Sequence, residues 1–113
     1  MVYKELKQSM ENLIKDCKKI LEGKGRSYSS RDDELANFKD LAQLLCLSPE
    51  QVCLVYLTKH IYSIFSIVKG ENYDTEGLRS RIVDAINYLI LLNALHEEKC
   101  SDRALMERLL NAA

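Results

Sequence analysis

The sequence predicts an all-α fold, a single-domain bundle of four main helices with a short C-terminal helix. Three observations point there. Apolar residues recur at helical steps along most of the chain, with no strand-length alternation to compete. One proline and four glycines leave few breaks in 113 residues. The strongest local signal, Ser48-Pro49-Glu50-Gln51, is a helix start, with serine at N-cap, proline at N1 and glutamine at N3. A chain of this length holds one core and not two.

From the N-terminus, Tyr3, Leu6, Met10, Leu13, Cys17 and Ile20 fall at alternating steps of three and four. That is the seam of a helix packed lengthwise on another. Gly23 and Gly25 supply a stop, so this helix is expected over 1–22. Its seam is a ready symmetric contact, and a homo-oligomer through the first helix is expected. The loop GKGRSYSSR (23–31) leads to a second helix starting near Asp32 or Asp33, with Ser30 as N-cap and Leu35, Phe38, Leu41, Ala42 and Leu45 on its buried face. The third helix, 49–69, is apolar nearly all round from Val52 to Val68, which marks it as the central buried helix, ended by Gly70. GENYDTEG (70–77) is a turn, and a fourth helix spans about 76–98. Ser101-Asp102 then opens a short last helix over 101–112, carrying Leu105, Met106, Leu109 and Leu110. The core is thus assigned to the three helices within 23–98.

The net charge of −1 hides an asymmetry. Residues 1–31 hold eight Lys/Arg against four acids, and the rest eight against thirteen, so the parts carry +4 and −5. A basic first third suits phosphates, but it also suits pairing with the acidic remainder, within the chain or between subunits. MVYKELKQSMENL has charges where a signal peptide needs an apolar stretch. The most apolar windows, broken by Lys59 and His60 or by Asp84, Asn87 and Asn93, read as too short and too polar for a bilayer. The four cysteines lack CxxC spacing and read as reduced thiols of a cytoplasmic protein. His96 and Cys100 are four apart without a second pair, so no zinc site is built. Neither GxSxG, GxxxxGK[ST] nor GxGxxG occurs. A basic recognition helix for sequence-specific DNA binding is also missing.

What stands out chemically is polarity inside apolar helices. Arg81, Asp84 and Tyr88 lie at i, i+3 and i+7, with Asn87 beside them. Tyr56, Lys59, His60 and Ser63 form a similar band on the third helix. Antiparallel packing brings the bands together near mid-bundle. There Asp84 needs a cation, since an unpaired buried carboxylate costs several kcal/mol, roughly. Two readings follow. Either Asp84 pairs with Lys59 or Arg81 and fixes helix register, or the bands line a cleft in which Lys59, His60 and Arg81 meet a ligand phosphate. The loop is the second candidate, with Lys24, Arg26 and Arg31 for charge, Tyr28 for stacking and backbone N–H groups at a helix start. Asp32, Asp33 and Glu34 follow at once and would repel an anion unless Mg²⁺ bridged them; as plain connecting chain, the loop would simply be solvated.

The segments NFKDLAQLLCLSPEQVCLVYLTKHIYSI (37–64) and GLRSRIVDAINYLILLNAL (77–95) resemble small phage and prophage proteins. They are similar to the nucleotide-modification-associated all-helical family, in which an arginine–aspartate–asparagine–tyrosine helix follows a basic loop. The matching positions are Arg81, Asp84, Asn87 and Tyr88, the loop KGRSYS (24–29), and Lys59-His60 between them. That family in turn resembles the all-helical MazG-type nucleoside triphosphate pyrophosphatases, which hold Mg²⁺ with EExxE and ExxD. Here the acids 32–34 are adjacent and Arg81 stands three before Asp84, so a phosphate suits the position better than a metal.

The resemblance therefore implies a nucleotide-related role, and the residues present weaken its catalytic version. The expectation is a cytoplasmic, phage-type protein that binds a nucleotide or cyclic oligonucleotide without turning it over, sequestering a host-defence signal or assisting base modification. The ligand residues would be Lys24, Arg26, Tyr28, Arg31, Lys59, His60, Arg81, Asp84, Asn87 and Tyr88, with no metal or cofactor. One alternative is a Mg²⁺-dependent pyrophosphatase using Asp32, Asp33, Glu34 and Asp84. A second is a protein-interaction adaptor gripping a partner helix through Tyr3, Leu6, Met10 and Leu13.

Overall fold

The computed structural model describes residues 1–28, 33–71 and 77–112, residues 24–28 by backbone only. Its helices are α1 (Tyr3–Tyr28), α2 (Ala36–Leu45), α3 (Pro49–Val68) and α4 (Gly77–Ala112), and no strand occurs among the described residues. The all-α bundle predicted from apolar spacing is the fold.

The start of α3 is as its sequence dictates. Ser48 Oγ accepts from the Gln51 N–H at 3.1 Å, and Gln51 Oε1 accepts from the Ser48 N–H at 2.9 Å. Two otherwise orphaned donors are thereby satisfied. At the other end Gly70 takes φ +76°, letting the Glu71 N–H reach the Ser66 carbonyl at 3.0 Å.

Three boundaries differ from expectation. First, α1 continues through Gly23 to Tyr28 instead of stopping at 22. Gly23 does not adopt the left-handed conformation of a helix stop, and a glycine inside a helix costs only about 1 kcal/mol. Second, α2 starts at Ala36 rather than at Asp32 or Asp33. Asp33 Oδ1 accepts from the Leu35 N–H at 3.0 Å, a local bond that holds a turn ahead of the helix; the expected cap, Ser30, lies outside the described residues. Third, the short last helix is not separate. Ser101 and Asp102 sit inside α4, a 36-residue rod about 54 Å long. Neither residue costs a helix interior more than about 0.7 kcal/mol, and no glycine or proline lies nearby to break it.

Helices α3 and α4 run antiparallel: Cys53 lies against Tyr88, His60 against Asp84, and Glu50 against His96. α2 folds back on α3 through a tight turn at Cys46, and the core forms where these three meet. It contains Leu35, Phe38 and Ala42 with Val52, Cys53 and Leu95, flanked by Leu41, Tyr88, Leu91 and Leu92. α1 joins through Cys17 and Asn87, whose Nδ2 donates to the Cys17 carbonyl at 3.1 Å, and through Asp16 and Arg79 at 2.5 Å.

The expectation of a fully buried α3 is corrected. Val52, Cys53 and Leu57 are buried, whereas Leu54, Val55, Tyr62, Phe65 and Val68 on the other side are exposed. With one lysine near its middle, α3 is also long and apolar enough to cross a membrane by length and composition, at a mean hydropathy of 1.3. The windows that looked too polar were shorter than the whole helix, over which Lys59 and His60 are diluted. The molecule is elongated, 60 × 34 × 26 Å, with a radius of gyration of 17.6 Å. A compact domain of this length has about 13 Å.

Candidate functional site

The polar bands of α3 and α4 meet, but not with every residue expected. Asp84 is buried, with the His60 Nδ1 at 3.7 Å and the Arg81 guanidinium at 3.9 Å. His60 and Asp84 are nearly as enclosed as the core, and Arg81 is only partly so. These separations are ion-pair distances beyond direct hydrogen bonds. Two cationic-type groups from different helices therefore converge on one carboxylate.

Above this cluster lies a ladder of rings. Tyr56 and Tyr88 stack with centroids 5.8 Å apart and planes 7° apart. His60 stacks on Tyr88 at 5.1 Å, and Phe38 from α2 meets both tyrosines edge-on at 6.3 and 6.5 Å. The geometry follows from register. Tyr56 and His60 are four apart on α3 and so share a face, while Tyr88 stands one turn beyond Asp84 on α4. Tyr56 is 37% exposed, so the ladder has a wet edge. Stacked rings can hold a planar ligand, and a guanidinium about two helical turns from Tyr88 can take an oxyanion.

The other expected residues lie elsewhere. Lys59 is exposed, because one residue along a helix turns the side chain by about 100° away from His60. Asn87 is buried toward α1, its amide donor engaged by Cys17 and its Oδ1 without a hydrogen-bond partner among the described residues. The side chains of Lys24, Arg26 and Tyr28, and all of Arg31 and Asp32, lie outside the described residues. Glu34 is exposed at the approach to α2. Asp33 pairs with Lys39 at 2.5 Å, and the same ammonium pairs with Glu98. Glu98 is fourteen residues beyond Asp84 on α4, about 21 Å along the helix, so Asp33 and Asp84 do not share a site. Those two carboxylates push the Lys39 pKa up, Asp33 foremost.

Sequence reasoning placed Phe38 in the core and Tyr56 in a polar band without joining them to Tyr88. The i, i+4 spacing of Tyr56 and His60 is the signal that could have done so. One open depression of about 390 Å³ lies between α1 and α4, lined by Glu5, Gln8, Ser9, Asn12 and Arg79, away from Asp84. Burial pushes the thiol of Cys53 up to about 11 and also raises that of Cys17, with the charge of Asp16 adding to the latter. Neither is poised as a nucleophile. No family model matches this chain, and no curated protein or solved structure is significantly similar to it.

Proposed function

We propose that the protein binds a nucleotide or nucleotide-derived ligand without turning it over, at the edge where α3 meets α4. One observation carries the reading: a nearly buried His60 stacks on Tyr88, whose other ring partner, Tyr56, is open to solvent, while a partly buried Arg81 faces the same Asp84 that His60 faces. Arg81 would meet a phosphate by charge-assisted hydrogen bonds, Asp84 would hold Arg81 and His60 in position, and the Tyr56 ring would carry the base. A pyrophosphatase is less well supported, because Asp84 already faces two cationic-type groups and Asp33 lies about four turns away.

The test is a thermal-shift panel of mono-, di- and cyclic oligonucleotides. A ligand at ~100 times its dissociation constant adds about 2.7 kcal/mol to stability, easily seen in melting. Arg81→Ala should abolish the shift and Tyr56→Leu should weaken it. A well-folded sample that no member of the panel stabilises refutes the proposal.

A second reading, an adaptor that grips another protein's helix, is favoured by the exposure of Tyr3, Leu6 and Met10 on α1. Binding of a foreign helix that Leu6→Glu abolishes, in a chain that otherwise stays monomeric, would select it.

A further inference from the structure

Among the described residues, three stripes at helical spacing are uncovered over part or all of their length. On α1 the stripe covered at Cys17 continues to Met10, Leu6 and Tyr3, all exposed. On α4, steps of four and three lead from Asp84 through Tyr88, Leu91, Leu95, Glu98 and Asp102 to Leu105 and Leu109. The stripe is buried at Asp84 and Leu95 and exposed at its last two leucines. On α3 the outer side carries Leu54, Thr58, Ile61, Phe65 and Val68, again at steps of four and three, exposed throughout. Such spacing belongs to a helix packed lengthwise on another helix.

The amount of surface says what kind of partner is missing. The chain exposes 8870 Å². A folded monomer of 13.0 kDa is expected to expose about 6,300 Å². The surplus of roughly 2,500 Å² matches one partner's share of a large obligate homodimer interface, which buries about 2,000–5,000 Å² in total. A small ligand covers far less.

We infer that a second copy of this chain covers the outer stripe of α3, the two α3 helices pairing antiparallel about an axis near Ile61. The stripe is centred there, so Leu54 of one copy would lie near Val68 of the other. A two-fold pairing of this kind needs only one self-complementary surface. It also accounts for the overhangs. Because α3 and α4 are antiparallel, the free part of α1 lies at the Val68 end of α3 and the free part of α4 at the Leu54 end. Pairing α3 with its copy brings each α1 overhang toward the other copy's α4 overhang. The sequence leads one to expect self-association through α1; the pairing inferred here has α3 at its centre. This inference does not depend on the ligand proposed above.

Sedimentation equilibrium of the full chain, run beside Phe65→Glu, tests it. The wild type should have twice the chain mass and a melting temperature that rises with protein concentration. Phe65→Glu should sediment as a monomer that keeps its helical circular dichroism, since Phe65 is exposed within one chain. If that variant unfolds instead, the concentration dependence of wild-type melting decides alone. A wild type that is monomeric, and whose melting is independent of concentration up to its solubility limit, overturns the inference. So does a dimer that Phe65→Glu leaves intact. Partition of α3 into neutral phosphatidylcholine vesicles in place of self-association would overturn it as well.

Discussion

Asn87→Leu should make this protein more stable, although it deletes a buried hydrogen bond between helices. Asn87 is only 6% exposed, and its Nδ2 donates to the Cys17 carbonyl at 3.1 Å. That carbonyl lies inside α1, where the helix already supplies a donor, so the side-chain bond is its second and is worth about 1 kcal/mol. The other end of the amide works against folding. Oδ1 is buried without a hydrogen-bond partner among the described residues, a penalty of roughly 1–3 kcal/mol. Leucine keeps the branching pattern, removes the orphaned acceptor and adds about 1.5–3 kcal/mol of apolar burial. Its methyls are bulkier than the amide, which takes back about 1 kcal/mol or more. The balance is a gain of about 1–2 kcal/mol, or roughly 5–10 °C in Tm. Asn87→Asp has the same shape and the opposite sign. It sets a carboxylate three residues from Asp84 and aims an acceptor at the Cys17 carbonyl, for a loss of about 3 kcal/mol. Urea denaturation of both variants at one protein concentration gives the comparison. If Asn87→Leu loses 1 kcal/mol or more while unfolding in a single transition, the acceptor has a partner that the reasoning omits.

Ser48→Ala should lose about 1 kcal/mol in urea denaturation, because the capping box at the start of α3 goes with it; a change under a few tenths would show that the cap forms equally well without the hydroxyl. Cys46→Gly should gain roughly 1 kcal/mol, since Cys46 ends α2 in the left-handed region at φ +55°, where a Cβ is penalised; a loss in thermal melting would refute it. In native protein a thiol reagent should modify Cys46 and Cys100 promptly, and Cys17 and Cys53 only after denaturant is added; a fast third thiol would contradict the burial. Stability should fall as pH rises from 9.0 toward about 11. The unfolded chain gives up the Cys53 proton across that range while the folded chain retains it, so the thiol's contribution is fully present below 9.0. Lys39, whose pKa lies above its ordinary 10.5, adds a loss in the same direction at higher pH still. Cys53→Ala should flatten the first part of that decline in pH-dependent melting.

Local chemistry was the legible part of the fold. The capping box at Ser48 and the glycine stop at Gly70 involve side chains and backbone within a few residues, and both are where their sequence places them. The ends of α1 and α4 were illegible for a matching reason. A glycine or a Ser-Asp pair shifts a helix by about 1 kcal/mol or less per residue, and favourable neighbours outweigh that. At the site, His60, Arg81 and Asp84 could be brought together from spacing within each helix plus an antiparallel connection. Lys59 adjoins His60 in sequence and so reads as part of the same band, yet on a helix the next residue points elsewhere. Asn87 adjoins Tyr88 in the same way, and the structure turns it toward α1 instead. Which ring of α4 stacks on Tyr56 depends on the register between helices, which no single-helix pattern encodes.

The error over α3 has a different origin. A helix that is apolar all round does report burial on both sides, but the pattern carries no information about which chain does the burying. Among the described residues, none covers the outer stripe of α3. Its free lengths are the first half of α1 and the last third of α4, each collinear with a segment already packed on the core. No glycine or proline lies between Tyr3 and Glu22, or between Ala85 and Ala112, so neither rod can fold back without losing helix hydrogen bonds. α2 is engaged on the inner side with Phe38 and Ala42. A helix that covered Leu54 to Val68 would need to be about 21 Å long and to carry matching spacing. A second α3 meets both requirements, and the pairing inferred above would bring the stripe's apolar composition into agreement with its surroundings.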